Sequence, residues 1–206
     1  MKIKQLLCAA VSAAALLSGC AKSEMSRTIV TDVPERPAGQ EDMVGFAAEP
    51  IDTVRVGVIG LGMRGAEGAF RLGKVPGAKV VAVCDIDSSR VNRVVARMEA
   101  DGYGKVDGYS GSADAWKELA DRSDIDLVYV VTDWKNHTPM ALYAMEHGKH
   151  VAVEVPAAST LDEIWALVNT SERTRRHCMM LENCVYDFFE MNTLNMAQQG
   201  LFGEVL

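Results

Sequence analysis

The segment Val54-Arg55-Val56-Gly57-Val58-Ile59-Gly60-Leu61-Gly62-Met63-Arg64-Gly65 takes a short β-branched run through three spaced glycines into helix-forming sequence. Few local folds satisfy it. Gly60 allows a tight turn, Gly62 lets backbone approach a bulky anion with no Cβ between them, and Gly65 permits close packing of helix on strand. An anion at that turn would meet the unpaired N–H groups and positive dipole end of the helix, as a pyrophosphate requires. The same spacing also closes ordinary strand-helix junctions, so context decides.

The context is a second apolar run, Ala78 to Cys84, that ends in Asp85. An acid there can accept both ribose hydroxyls of a dinucleotide and would repel a 2′-phosphate, which favours NAD over NADP. A second role stays open to Asp85, capping the next helix, and Asp87 or Ser88 could equally fill it.

Alternation then continues along the chain. Helix-compatible sequence reaches Lys74, and Val91, Val94, Val95 and Met98 give helical spacing over 88–100. A short strand near Tyr109 and a helix from Ser112 through Ala120 follow. The near-continuous apolar stretch Asp126 to Val131 suits a strand buried on both faces of a parallel sheet. A loop from Thr132 to Pro139 leads to a helix ending at Gly148, then strand His150 to Glu154, helix Leu161 to Thr174 and strand Cys178 to Leu181. This order predicts an α/β fold, a doubly wound parallel sheet of the Rossmann dinucleotide-binding type. Ligands bind such sheets at the carboxyl ends of strands. Four loops there carry unusual residues: Met63-Arg64, Thr132 to His137, Glu154-Val155-Pro156 and Glu182 to Tyr186.

The ends of the chain read differently. Lys2 and Lys4 precede an apolar stretch, Leu6 to Leu17, and then Leu17-Ser18-Gly19-Cys20, so residues 1–19 have the form of an export signal. Small residues before Cys20 resemble a bacterial lipoprotein cleavage box, which would make Cys20 a lipidated N-terminus and place the protein on the cell envelope, on a face the sequence leaves open. A plain secretory signal, with no role for Cys20, is the other reading. Residues 20–50, with Pro34, Pro37, Gly39 and Pro50 and no periodicity, read as a flexible tether. Residues 51–184 make the dinucleotide-binding domain, and 185–206 the start of a second, truncated α+β domain. A formal charge of −7 with scattered basic residues argues against a nucleic-acid partner. Beyond the leader and Cys20, only Cys84, Cys178 and Cys184 remain, without metal-site spacing, and burial is the expectation for the last two.

At the four loops the residues resemble the family of glucose-fructose oxidoreductase and inositol dehydrogenase, whose members join an N-terminal dinucleotide fold to a C-terminal substrate domain. Where most of its dehydrogenases carry Glu-Lys-Pro, this chain has Glu154-Val155-Pro156. The wording Val153 to Ala158, with Arg176 to Asp187, Leu194-Asn195-Met196 and Gly203-Glu204-Val205, is more specifically similar to glycoside hydrolase family 109. That resemblance implies an NAD-dependent α-N-acetylgalactosaminidase. Its reaction oxidises the sugar 3-hydroxyl, eliminates the C1 substituent, adds water and returns the hydride, so the cofactor ends as it began.

By the same resemblance Met63, Arg64 and Asp85 hold the pyrophosphate and adenosine ribose. Trp134, Lys135, Asn136 and His137 line the cofactor, and Glu154, Val155 and Asn183 lie near the nicotinamide half. Plainer roles stay open: Arg64 solvated, Trp134 packing, His137 capping a helix, Asn183 bracing a turn. Tyr186 is the candidate proton donor or acceptor at the sugar, with core packing as its alternative. The expected partner is a glycoside with terminal N-acetylgalactosamine, membrane contact is through the lipid anchor alone, and a homo-oligomer is left open.

Overall fold

The computed structural model describes residues 33–204. The export signal and Cys20 lie outside the described residues. A boundary after Glu35 divides the chain into two units. Val33–Glu35 is all that is described of the first and holds no regular element, while the second, Arg36–Leu206, carries all those below.

Six strands alternate with helices: β1 Val54–Ile59, α1 Met63–Leu72, β2 Ala78–Cys84, α2 Ser88–Ala100, β3 Asp107–Tyr109, α3 Ala115–Ala120, β4 Leu127–Val130, α4 Trp134–Glu146, β5 His150–Glu154, α5 Leu161–Thr174, β6 Cys178–Leu181 and α6 Phe188–Gln198. The sheet order is β3-β2-β1-β4-β5-β6, and every pairing is parallel. The chain runs outward from β1 to β3, then crosses back to pair β4 with the other edge of β1. That reversal leaves a crevice between the carboxyl ends of β1 and β4, the switch point at which such sheets take ligands. The expected Rossmann-type doubly wound sheet is the fold observed.

Strand alternation feeds two cores. Val56, Val58, Val80 and Val83 pack with Ala69 of α1 and Val91, Val94 and Met98 of α2 on one face. Ile59, Ala82, Val128, Val130, Val151 and Val153 pack with Leu119, Met140, Ala144 and Leu167 on the other. Gly57 is required by the second core, because a Cβ there would lie 2.5 Å from Leu119 Cδ2. α6 contributes no buried residue to either core.

Three expectations change in detail. The stretch Thr132 to Pro139 is not a loop throughout, because Asp133 is the N-cap and Trp134 already begins α4, with Pro139 inside the helix. Tether composition does not keep residues 36–46 free. Arg36 donates twice to Glu172 on α5 at 3.0 and 3.1 Å, and Gln40 donates to Glu172 and Asn169 at 2.7 and 3.1 Å. The Arg175 guanidinium lies 4.3 Å over the Phe46 ring. Finally, Cys178 is largely buried, with its thiol pushed up to about 11, but Cys184 is exposed in the turn after β6 with φ 63°.

Candidate cofactor site at the sheet switch point

The glycine turn separates its three residues by what a side chain would meet. At Gly60, where φ is +95°, a Cβ would lie 2.4 Å from the Val131 carbonyl oxygen; at Gly65 it would lie 1.8 Å from the Gly60 oxygen. Both positions exclude any other residue. Around Gly62 nothing lies within 4 Å, so the missing side chain there serves open space rather than packing. Gly62 is also the N-cap of α1, with no side-chain cap and no acidic residue in the first turn. The leading N–H groups of α1 therefore face an open, uncapped turn, which fits a pyrophosphate.

Next to this turn lies a cavity of about 680 Å³, a size suited to a small-molecule site. Gly60, Gly62, Asp85, Lys135 and Asn136 line it, and the fold thus brings together residues from the ends of β1, β2 and β4. Asp85 is 7% exposed. Its Oδ2 accepts from Leu61 N–H at 2.6 Å and its Oδ1 from Asp87 N–H at 2.9 Å. The helix-capping alternative falls to Asp87, whose side chain accepts from Ser89 N–H. Residues not assigned to the site from the sequence also line the cavity: Ile86, Arg90, Ser112 and Trp116. Arg90 Nη1 stands 3.6 Å from Asp85 and its Nε 3.5 Å from Asp87. Its place one turn into α2 was the available signal. Trp116 meets Tyr143 edge-on at 5.0 Å while also walling the cavity.

At the start of α4, Lys135 pairs with Asp133 at 3.5 Å, and the Asn136 amide also donates to Asp133. Burial opposes ionisation of Asp133, but these donors hold its carboxyl below the usual range. Trp134 is two-thirds exposed and Met63 almost wholly so. His137 is different. It is 1% exposed, with Nδ1 2.7 Å from Pro156 O and Nε2 3.1 Å from Thr132 O. A carbonyl oxygen can only accept, so the shorter contact puts an N–H on Nδ1, donated to Pro156. The ring braces the loop after β5 against the loop after β4. It neither caps α4 nor faces the crevice directly.

Across the turn from Asp85, a second cluster gathers three predicted residues. Arg64 Nη2 donates to Asn183 Oδ1 at 2.9 Å, and Arg64 Nε lies 3.7 Å from Glu154 Oε1. Val155, partly exposed, follows Glu154 and precedes a cis bond to Pro156. Tyr186 is 74% exposed and lies beyond β6. A larger groove of about 720 Å³ runs along the α1 face of β4 to β6 and reaches this cluster at one end. It is mostly apolar and has no glycine turn, so the pyrophosphate and adenosine assignment stays with the cavity beside Gly62.

An uncapped glycine turn at the switch point of a parallel 3-2-1-4-5-6 sheet, with an acid at the end of the second strand, defines a dinucleotide-binding domain. Residues 54–182 match the model of the oxidoreductase family with the NAD-binding Rossmann fold, and the chain belongs to that family. Its cofactor is NAD. A protein named glycosyl hydrolase family 109 protein 1 from Phocaeicola vulgatus is 62% identical over 179 residues, covering 84% of this chain and 37% of its own length. One of the same name from Bacteroides fragilis is 58% identical over 193 residues, covering 92% and 42%. The resemblance to glycoside hydrolase family 109 is thus met, and the chain spans about two-fifths of these relatives' length. Among solved structures, myo-inositol 2-dehydrogenase from Lactobacillus plantarum superposes with a TM-score of 0.64 at 23% identity, over 75% of this chain and 43% of that one, a likeness of fold.

Proposed function

We propose that the complete protein releases terminal α-N-acetylgalactosamine from glycosides through a cycle that leaves its cofactor unchanged overall, and that this chain supplies the cofactor-binding part. The observation that carries the reading is an open Gly62 at the switch point of a chain 58% and 62% identical to proteins named as glycosyl hydrolases. Bound NAD would supply reversible hydride transfer at the sugar C3. The residues here do the holding. Gly62 and the first turn of α1 receive the pyrophosphate, with Met63 and Arg64 beside it, and Asp85 faces the adenosine ribose. Trp134, Lys135 and Asn136 flank the crevice, while Glu154, Val155 and Asn183 border the nicotinamide half. Tyr186 moves a proton at the sugar, with further groups supplied by the rest of the protein. Because the cycle needs no redox partner, it suits an exported enzyme held to the cell envelope through a lipid on Cys20.

The test supplies a chromogenic α-N-acetylgalactosaminide to the complete protein and follows aglycone and NADH together. Aglycone release without net NADH supports the cycle; stoichiometric NADH without aglycone release replaces it with a sugar dehydrogenase. Tyr186→Phe is expected to slow release by about a hundredfold, and an unchanged rate would remove Tyr186 from the reaction. Cys20→Ala should shift the protein from the membrane to the soluble fraction, and unchanged fractionation would dismiss the anchor.

A further inference from the structure

Tyr129 sits on β4 among apolar neighbours and is 5% exposed, yet its hydroxyl has a polar partner: it donates to Glu154 Oε1 at 2.6 Å. The same carboxylate oxygen is the one 3.7 Å from Arg64 Nε, and Arg64 in turn donates to Asn183. Four side chains from β4, β5, the first turn of α1 and the turn after β6 are therefore linked in sequence. The helix above makes room for the link. A Cβ on Gly68 would lie 2.6 Å from Tyr129 Cε1 and 3.2 Å from its hydroxyl, so the phenol reaches Glu154 only beneath a residue without a side chain. The nucleotide turn accounts for Gly60, Gly62 and Gly65 but gives no reason for a glycine at 68; the Tyr129 ring does.

Position in the sheet says what the chain of contacts serves. Asp85 follows β2 and marks the adenosine side, whereas Glu154 ends β5 and Asn183 follows β6, beyond the switch point, where the second half of a dinucleotide falls. Arg64 is nearly half exposed and long, and would spread over many rotamers without a fixed partner. Glu154 can be that partner only if its own carboxylate is held. We propose that Tyr129 is a positioning residue that fixes Glu154, and through it Arg64 and Asn183, in the arrangement that receives the nicotinamide half of the cofactor, an inference that rests on the NAD reading. Burial and the adjacent Glu154 carboxylate both push the phenol's pKa up, so Tyr129 remains a donor throughout the neutral range.

The experiment compares Kd for NAD and for AMP, which keeps only the adenosine side of the cofactor, in the full chain and in Tyr129→Phe by calorimetry. Expected is a loss of about fivefold for NAD with AMP unchanged, since the ring and its packing survive and only one charge-assisted hydrogen bond is removed. Equal weakening of both ligands would reduce Tyr129 to a packing role, and no weakening of either would also overturn the proposal. Wild type binding neither ligand would overturn the cofactor reading itself and this inference with it. Should Tyr129→Phe fail to fold, Glu154→Gln, which keeps the phenol's acceptor but removes the charge that holds Arg64, is expected to show the same selective loss; equal weakening or none would again overturn the proposal.

Discussion

The Asp85 carboxylate accepts the Leu61 backbone N–H at 2.6 Å, and so ties the end of β2 to the middle of the glycine turn. With its other oxygen on Asp87 N–H, the side chain fixes two loops of the crevice while bordering it. An acid at this position therefore does more than select a ribose. Asp85→Asn would turn one acceptor into an N–H₂ facing a backbone N–H, leaving a buried donor unpaired. A loss of about 2 kcal/mol of stability is expected, together with weaker NAD binding. Urea unfolding measures the first and calorimetry the second. An unchanged unfolding midpoint with weakened NAD would return Asp85 to ribose binding alone.

The two glycines that frame the first turn of α1 should respond in opposite ways. Gly62 has φ −60° and open space around it, so Gly62→Ala is tolerated by the fold but intrudes where a pyrophosphate would approach. Its Tm should match wild type while NAD affinity falls at least about tenfold. Gly65→Ala would force a methyl to 1.8 Å from the Gly60 oxygen, which no side-chain motion relieves. Destabilisation of about 3 kcal/mol or more is expected, read as a large drop in Tm. Equal Tm changes in the two variants would contradict this division.

These two glycines also mark how far the sequence could be read. Gly60, Gly62, Gly65 and Asp85 were legible because a dinucleotide turn imposes a spacing on local backbone, and the strand and helix periods around them set sheet order through handedness rules. Gly68 and Tyr129 carry no such pattern, since their relation is a contact between α1 and β4 that exists only once the sheet is assembled. The start of α4 was hidden by Pro139, which sits inside the helix although proline usually marks a boundary. Residues 36–46 looked like tether because composition reports what a segment lacks, not the Glu172 and Arg175 side chains waiting on α5 and at its end. His137 was found by its loop and then placed by tertiary contacts, as a brace rather than a lining group.

That brace makes a separable prediction. His137→Ala would leave the Pro156 and Thr132 carbonyls facing a void in a site that is 1% exposed. A cost of about 3 kcal/mol is expected, combining cavity and lost hydrogen bond. His137→Asn, whose amide nitrogen falls near the position of Nδ1, should recover part of it by again donating to Pro156. Chemical denaturation of the three proteins checks the order wild type, Asn, Ala. If His137→Ala unfolds like wild type and only loses NAD, the ring is a cofactor contact instead.

Attachment of residues 36–46 to α5 should depend on acid pH in one direction. Hydrogen bonds from Arg36 and then Gln40 hold the Glu172 carboxyl below its usual value of 4.5. A carboxylate whose pKa is depressed by folding contributes stability that is fully present above the unfolded value and is lost as pH falls through the folded one. The segment should therefore remain docked at neutral pH and down to about pH 5, and loosen below pH 4.5 as Glu172 takes up a proton and its pairing with Arg36 weakens. Glu172→Gln, which keeps size and one acceptor but not the charge, should show at neutral pH the looseness that wild type shows only in acid. Hydrogen exchange of the Gln40 and Phe46 amides, which donate to Pro37 and Met43 carbonyls in the docked segment, reports this directly. Protection that is identical in the two proteins at neutral pH, or that rises as wild type is acidified, would show that Glu172 is not what holds the segment in place.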